Sequence, residues 1–248
     1  MASVRINGFS YEYLWWGNGP ALAPVLLLHE AGGHARGWGD FPKRLADATG
    51  RRVFAYSRLG WGDSEPRPQP LAPGYLEDEA LDVLPAVRAA LGLERVVLVG
   101  HHEGATIGLI HAGAAATPVE GVVAIAPLLF VDNALRFEVL NRFQRGLHEA
   151  HAAAASEAER TFSEWAQLWG GTKLEAWTID DFCRGVTCPA LGLRGDQDIF
   201  THSGHLDRLR ALVKHLEVLQ LPGARHLPFL DKPAAVSDAV AAFAHKLP

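Results

Sequence analysis

The sequence predicts an α/β chain: a mainly parallel twisted sheet with helices on both faces and a small helical insertion. Three observations carry this. Short apolar runs of strand length recur, among them Val25-Leu26-Leu27-Leu28 and Val96-Val97-Leu98-Val99. Such runs suit strands buried on both faces, as in a parallel sheet. They alternate with segments of helical spacing, which implies right-handed crossovers and helices on both sides. The run ending at Val99 also leads through Gly100-His101-His102-Glu103-Gly104 straight into a small-residue helix, Ala105 to Ala116.

The elements follow in order. Val4-Arg5-Ile6 and Tyr11 to Trp15 alternate around Asn7-Gly8, a hairpin signal. Pro24 to His29 is a buried strand that ends in the glycine-rich loop Glu30-Ala31-Gly32-Gly33-His34. Asp40 to Thr49 is helical, with Gly50 as its stop. Arg52 to Ser57 is the next strand, and a loop rich in glycine and proline runs from Arg58 to Pro73. Tyr75 to Leu91 has helical spacing, and Pro85 predicts a kink in it. Val119 to Ile125 is a strand closed by Pro127. From Val131 to Trp177 there is no strand signal; the segment reads as two to four helices carrying Phe137, Phe143, Phe162, Trp165, Trp169 and Trp177. Pro189 to Leu193 resumes the sheet, His205 to His215 is helical, Leu216 to Leu221 is a strand, and Pro233 to Lys246 is the closing helix.

The chain has 248 residues, enough for one large domain with an insertion, and 48% hydrophobic residues, enough for a substantial core. The expected division is a core of 1–130 and 179–248 with a helical cap at 131–178. The net charge of −5 leaves no basic footprint, so nucleic acid is not expected as a partner. Met1 to Ser10 has no apolar signal core and no run is long enough to span a membrane, so no membrane partner is expected. Cys183 and Cys188 read as ordinary thiols of a cytoplasmic protein. A small-molecule substrate is the expected partner, and assembly as a homodimer stays open.

The order of motifs resembles the α/β-hydrolase superfamily, over essentially the whole chain. His29-Glu30-Ala31-Gly32-Gly33 stands where that family has H-G-x-G, and Ser57 to Ser64 is similar to its D-x-R-G-x-G-x-S. Gly100 to Gly104 matches the nucleophile elbow G-x-S-x-G, a strained strand-to-helix turn. Gly195-Asp196-Gln197-Asp198 resembles the family's acid loop, and Gly223-Ala224-Arg225-His226 its late histidine loop. The resemblance implies an α/β-hydrolase fold, with the helical insertion as the cap. Two positions depart from the pattern. His102 stands where the family has a nucleophile, and Glu30 where it most often has glycine.

The resemblance implies that His226, on a loop at the carboxyl end of the sheet, is the acid/base residue, oriented by Asp198. It also implies an oxyanion hole built from the backbone N–H groups of Ala31 and Glu103, which survives loss of a serine. His102 at the elbow would face the pocket and lie close to His226, so that only one of the two imidazoles carries charge. Glu30 reads either as a pocket acid or as a salt-bridge partner, and the Glu103 side chain as a solvated or first-turn carboxylate. Trp38 and Trp61 sit on loops expected to face the substrate, and the aromatic cap favours an apolar or aromatic one. His29 holds its loop, His101 is structural, and Asp132 is a helix cap with a fallback role as the acid. His102, His226 and Glu30 make a conceivable three-ligand metal set, but no H-x-x-x-H or H-E-x-x-H spacing supports it, and neither metal nor cofactor is expected.

Two classes of function follow. The first is a cofactor-free enzyme acting on a small carbonyl compound by ester, lactone or C–C bond hydrolysis; a lyase, decarboxylase or cofactor-free oxygenase would use the same base and oxyanion hole. The second is a non-catalytic protein that keeps the pocket to bind a ligand. The Asp198–His226 pair favours the enzyme, since a binder has less need of it.

Overall fold

The computed structural model describes residues 2–19, 22–114, 117–149 and 157–248, with the side chains of 142–149 and 158 not described. The side chain of Phe143 and the expected helix end at Ala116 lie outside what is described. Asn7 and Gly8 both have positive φ, 52° and 91°, and close the hairpin between β1 (Ala2–Ile6) and β2 (Phe9–Trp16). The apolar runs become β3 (Val25–Leu28), β4 (Val53–Tyr56), β5 (Val96–His101), β6 (Val119–Ile125), β7 (Ala190–Gly195) and β8 (Leu216–Leu221). Together they form an eight-stranded sheet in the order β1-β2-β4-β3-β5-β6-β7-β8. Among the described strands, β1–β2 and β2–β4 pair antiparallel and the other neighbours pair parallel. All four residues of β3, and all six of β5, are buried, as an interior parallel strand requires.

Helices cover both faces. One face carries α1 (Phe41–Thr49) and α10 (Pro233–Ala244), packed on Val25, Val97 and Val99. On the other, α4 (Glu103–Ala114) is buried almost throughout. The kink expected at Pro85 takes the form of a π-helical turn, Glu79–Val83, between α2 (Tyr75–Asp78) and α3 (Leu84–Ala90). Proline lacks the N–H that would bond one turn back, and the wider turn absorbs that loss. The insertion supplies α5 (Asn133–Glu149) and α6 (Glu157–Gly170), and a β-bridge between Phe130 and Thr178 closes its base. α7 (Asp180–Gly185) and α8 (Ser203–Leu212) follow, so the helix expected to reach His215 stops at Leu212. A short α9 (Pro228–Asp231) was not foreseen. Among the described residues no helix is long and apolar enough to cross a membrane.

Candidate active site

The centre of the site is the turn between β5 and α4. His102 lies there in the left-handed region at φ 50°. A non-glycine residue in this region is strained, so the surroundings must hold it. Its N–H donates to Ile125 O at 2.9 Å, and its carbonyl accepts from Thr106 N–H at 3.1 Å. The chains also close on the turn from both sides. A Cβ on Gly104 would lie 1.8 Å from Leu28 O, and one on Gly100 would lie 2.2 Å from Gly104 O. Only glycine fits at either position.

Two loops at the same end of the sheet bring the other groups. Asp198, after β7, accepts from Phe200 N–H at 2.8 Å, Thr201 N–H at 3.2 Å and the Thr201 hydroxyl at 2.6 Å. His226, after β8, places Nδ1 3.0 Å from each carboxylate oxygen of Asp198. Its Nε2 lies 3.3 Å from Glu30 Oε2. The rings of His226 and His102 are 5.0 Å apart, nearly perpendicular at 80°. A cavity of about 130 Å³ opens above them, lined by Glu30, Ala31, His102 and His226 with Phe162, Trp165 and Phe200.

Charge is divided among these groups by burial and partners. Burial pushes His102 well below the usual histidine range, and the neighbouring His226 pushes it the same way, so His102 is neutral. Burial also works against a charged His226, but hydrogen bonds to Asp198 and Glu30 outweigh it and carry its pKa up to about 9. Glu30 is held at about 2: its burial is overcome by the imidazoles of His101 and His226. For Asp198, burial is likewise overcome, by His226, Thr201 and the Phe200 N–H, which hold it well below the usual carboxylate range. At neutral pH the site therefore contains one imidazolium between two carboxylates.

Ala31 lines the cavity, and Glu103 N–H begins α4 beside His102. Among the described hydrogen bonds neither N–H has a protein acceptor. The Glu103 side chain is not solvated. It is 1% exposed and pairs with Arg58 at 2.8 Å, accepts from Trp165 Nε1 at 2.5 Å and is bonded by the Tyr75 hydroxyl. Trp169 Nε1 donates in turn to Tyr75 at 2.8 Å. The residue after the elbow is thus tied to α6, a link that the sequence reading missed.

Other expectations need correcting. Trp61 is buried and does not line the cavity. Trp38 packs on Phe41 and Phe229 and lines a neighbouring cavity on the far side of Glu30. His101, expected to be only structural, lies with its ring 4.8 Å from that of His226 and tilted to it by 56°, donates from Nε2 to His226 O at 2.7 Å and holds Nδ1 3.5 Å from Glu30 Oε2. Alternation along β5 was the available signal, because it puts residue 101 on the face of Val97 and Val99, where Phe229 packs. Glu30 therefore clusters with His101 and His226, and not with His102. His29 behaves as expected: Nδ1 donates to Glu30 O at 2.6 Å and Nε2 accepts from Arg58 N–H at 2.9 Å. Asp132 caps α5 through Leu135 N–H at 2.8 Å and turns its other oxygen to His202 at 2.6 Å.

Known proteins similar to this chain include a peptidase, a serine hydrolase and a meta-cleavage product hydrolase. Proline iminopeptidase of Lactobacillus delbrueckii subsp. bulgaricus is 30% identical over 140 residues, which are 56% of this chain and 47% of that one. The chain thus matches about half the length of such peptidases. The human protein named Serine hydrolase BPHL is 26% identical over 254 residues, covering 93% of this chain and 82% of its own. Among solved structures, the meta-cleavage product hydrolase of Pseudomonas fluorescens IP01 superposes with a TM-score of 0.79 at 16% identity, over 99% of this chain and 98% of that one, a likeness of fold. A sequence model of the Alpha/beta hydrolase family matches residues 25–239, from β3 into α10, and so spans both the turn at His102 and the loops of Asp198 and His226. With that match over most of its length and an eight-stranded, mostly parallel sheet to go with it, the chain belongs to the alpha/beta hydrolase family.

Proposed function

We propose that this protein hydrolyses a small apolar or aromatic carbonyl compound, an ester, a lactone or a C–C bond beside a carbonyl, without a serine nucleophile. The observation that carries this is the Asp198–His226 hydrogen bond beneath a cavity whose floor is His102. In its neutral form, His226 takes a proton from water at Nε2 while the water oxygen bonds to the carbonyl carbon. The N–H groups of Ala31 and Glu103 hold the oxyanion that results. Collapse breaks the bond to the leaving group, which takes the proton back from His226. Asp198 fixes the tautomer and stabilises the transient imidazolium. Glu30 stores His226 as the imidazolium at rest, and Nε2 must be freed from it before water is activated. His102 stands in the place of the family's nucleophile, stays neutral and offers its ring to substrate or water. The segment 131–178 serves as a cap, and Phe162 and Trp165 on α6 give the cavity its aromatic wall.

The test is turnover of a panel of activated esters, lactones and β-diketones in the presence of a chelator. His226→Ala is expected to lower kcat/KM by about 100-fold or more. Tight binding of unchanged ligand with no turnover of any panel member would overturn the proposal in favour of a ligand-binding protein.

A further inference from the structure

We propose that Glu30, His101 and His226 form a binding site for a divalent cation of the zinc class, with the fourth position open to the cavity above His102. The site goes beyond the hydrolytic reading and competes with it, because both use Nε2 of His226.

The argument starts from where the protons sit. A carbonyl oxygen only accepts, so the His101 nitrogen 2.7 Å from His226 O must carry hydrogen. Its other nitrogen, Nδ1, is then a lone pair. That atom is buried, has no hydrogen-bond partner and lies 3.5 Å from Glu30 Oε2. His226 donates from Nδ1 to Asp198, which directs Nε2 at the same Glu30 oxygen, 3.3 Å away. Two imidazole nitrogens thus converge on one carboxylate oxygen. A proton on His226 satisfies that contact and leaves His101 Nδ1 facing negative charge. A cation held by all three atoms satisfies both.

The outer contacts fit the same reading. A histidine that ligates a metal nearly always gives its other N–H to a carboxylate or a backbone carbonyl. Here His226 has the carboxylate and His101 the carbonyl. The spacing fits as well. Tetrahedral zinc, with bonds of about 2.0–2.2 Å, sets its ligand atoms about 3.3–3.6 Å apart. Two of the three edges are 3.3 and 3.5 Å, and all three atoms lie within 4.8 Å of one another. Two imidazoles and one carboxylate suit zinc or cobalt better than magnesium or calcium, which prefer oxygen shells. The ring of His102 has a buried, unpartnered Nε2 and lines the cavity, so a further nitrogen stands near the open position.

The test is a titration of the full-length, metal-stripped protein with Co2+, read by visible absorption, and with Zn2+, read by calorimetry, with no substrate present. One equivalent is expected to bind with the absorption of a four- or five-coordinate cobalt site. Glu30→Gln, which keeps shape and hydrogen bonding, and His101→Asn should each weaken binding by at least about tenfold. His202→Ala, which removes a histidine paired with Asp132 outside the cluster, should not weaken it. If His101→Asn does not fold, Glu30→Gln carries the comparison. The absence of stoichiometric binding would overturn the site, as would equal binding by the wild type and Glu30→Gln, which would mean an adventitious ion only. Because binding is read without substrate, this outcome is separate from whether the protein hydrolyses anything.

Discussion

Removing a carboxylate from this site should raise activity at neutral pH. The perturbation is Glu30→Gln. His226 has a pKa of about 9, and Asp198 and Glu30 together overcome the burial that would otherwise lower it. At pH 7, two units below that value, only about 1% of His226 is the neutral base. An opposite charge at contact distance moves a pKa by about 1–3 units, and Glu30 Oε2 is 3.3 Å from Nε2. Losing one of the two carboxylates should therefore lower the His226 value by about 1 unit at least, and the neutral fraction at pH 7 rises to about 10%. The expected result is a roughly tenfold gain in kcat/KM at pH 7, with the ascending limb of the pH profile, on which His226 loses its proton, moved down by about 1 unit. The assay is a pH–rate profile of wild type and variant on one activated ester or lactone, with chelator present. A fall in rate at pH 7 with the limb unmoved would refute the reasoning, because it would mean that His226 works as the imidazolium.

Four further outcomes follow from the contacts and burial in the fold. His102→Ser puts a hydroxyl on the strained turn beside His226, so the variant should become labelled by a fluorophosphonate probe that leaves the wild type untouched; labelling of the wild type would place a reactive serine elsewhere. Glu103→Ala strands the buried Arg58 and should cost about 3–5 kcal/mol in denaturant unfolding. Trp165→Phe keeps an aromatic side chain but removes the indole N–H to Glu103 together with part of the buried ring volume, so a loss of at least about 1–3 kcal/mol is expected; a loss below the error of the measurement would deny that this bond holds α6 down. Stability should fall as the pH is lowered below about 6.5, because His101 and His205 are held at about 4 in the fold, mainly by burial, while the unfolded chain protonates near the ordinary value. The unfolded state then binds more protons, and the melting temperature drops between pH 6.5 and 4. His226 contributes the opposite limb, lost as the pH rises through about 9. A melting temperature constant from pH 7 to 4 would contradict this assignment.

The sheet was legible because its signal is local. Val25 to Leu28 and Val96 to Val99 are apolar whatever surrounds them, and Asn7-Gly8 and Gly50 carry their backbone requirements in their own residue types. The positions of Asp198 and His226 were legible from motif order. What could not be read depends on partners distant along the chain. Glu103 looks like any first-turn carboxylate until Arg58 and Trp165, 45 and 62 residues away, come to it. Trp61 lies on a loop that resembles a pocket loop, yet its side chain is buried elsewhere. The π-helical turn before Pro85 answers a missing donor by a change of register that no periodicity announces.

The turn at His102 separates two kinds of information. Its shape is set by neighbours: Gly100 and Gly104 leave room for main chain, and Ile125 and Thr106 bond the residue between them. None of these contacts uses the side chain of residue 102, so the conformation is held regardless of which side chain stands there. The glycines therefore locate the site, and they say nothing of its chemistry. That comes from groups which meet only in the folded chain. Asp198 gives His226 its tautomer, and Glu30 gives it a resting charge. His101, next to the turn but on the opposite side of the strand, brings a second nitrogen to the same carboxylate. A serine at 102 would compete for the Nε2 of His226. An imidazole held neutral by burial need not, so Glu30 is free to keep that nitrogen. Water or substrate reaches that nitrogen only by displacing Glu30, whereas a metal ion would take the place of its proton and keep Glu30 beside it.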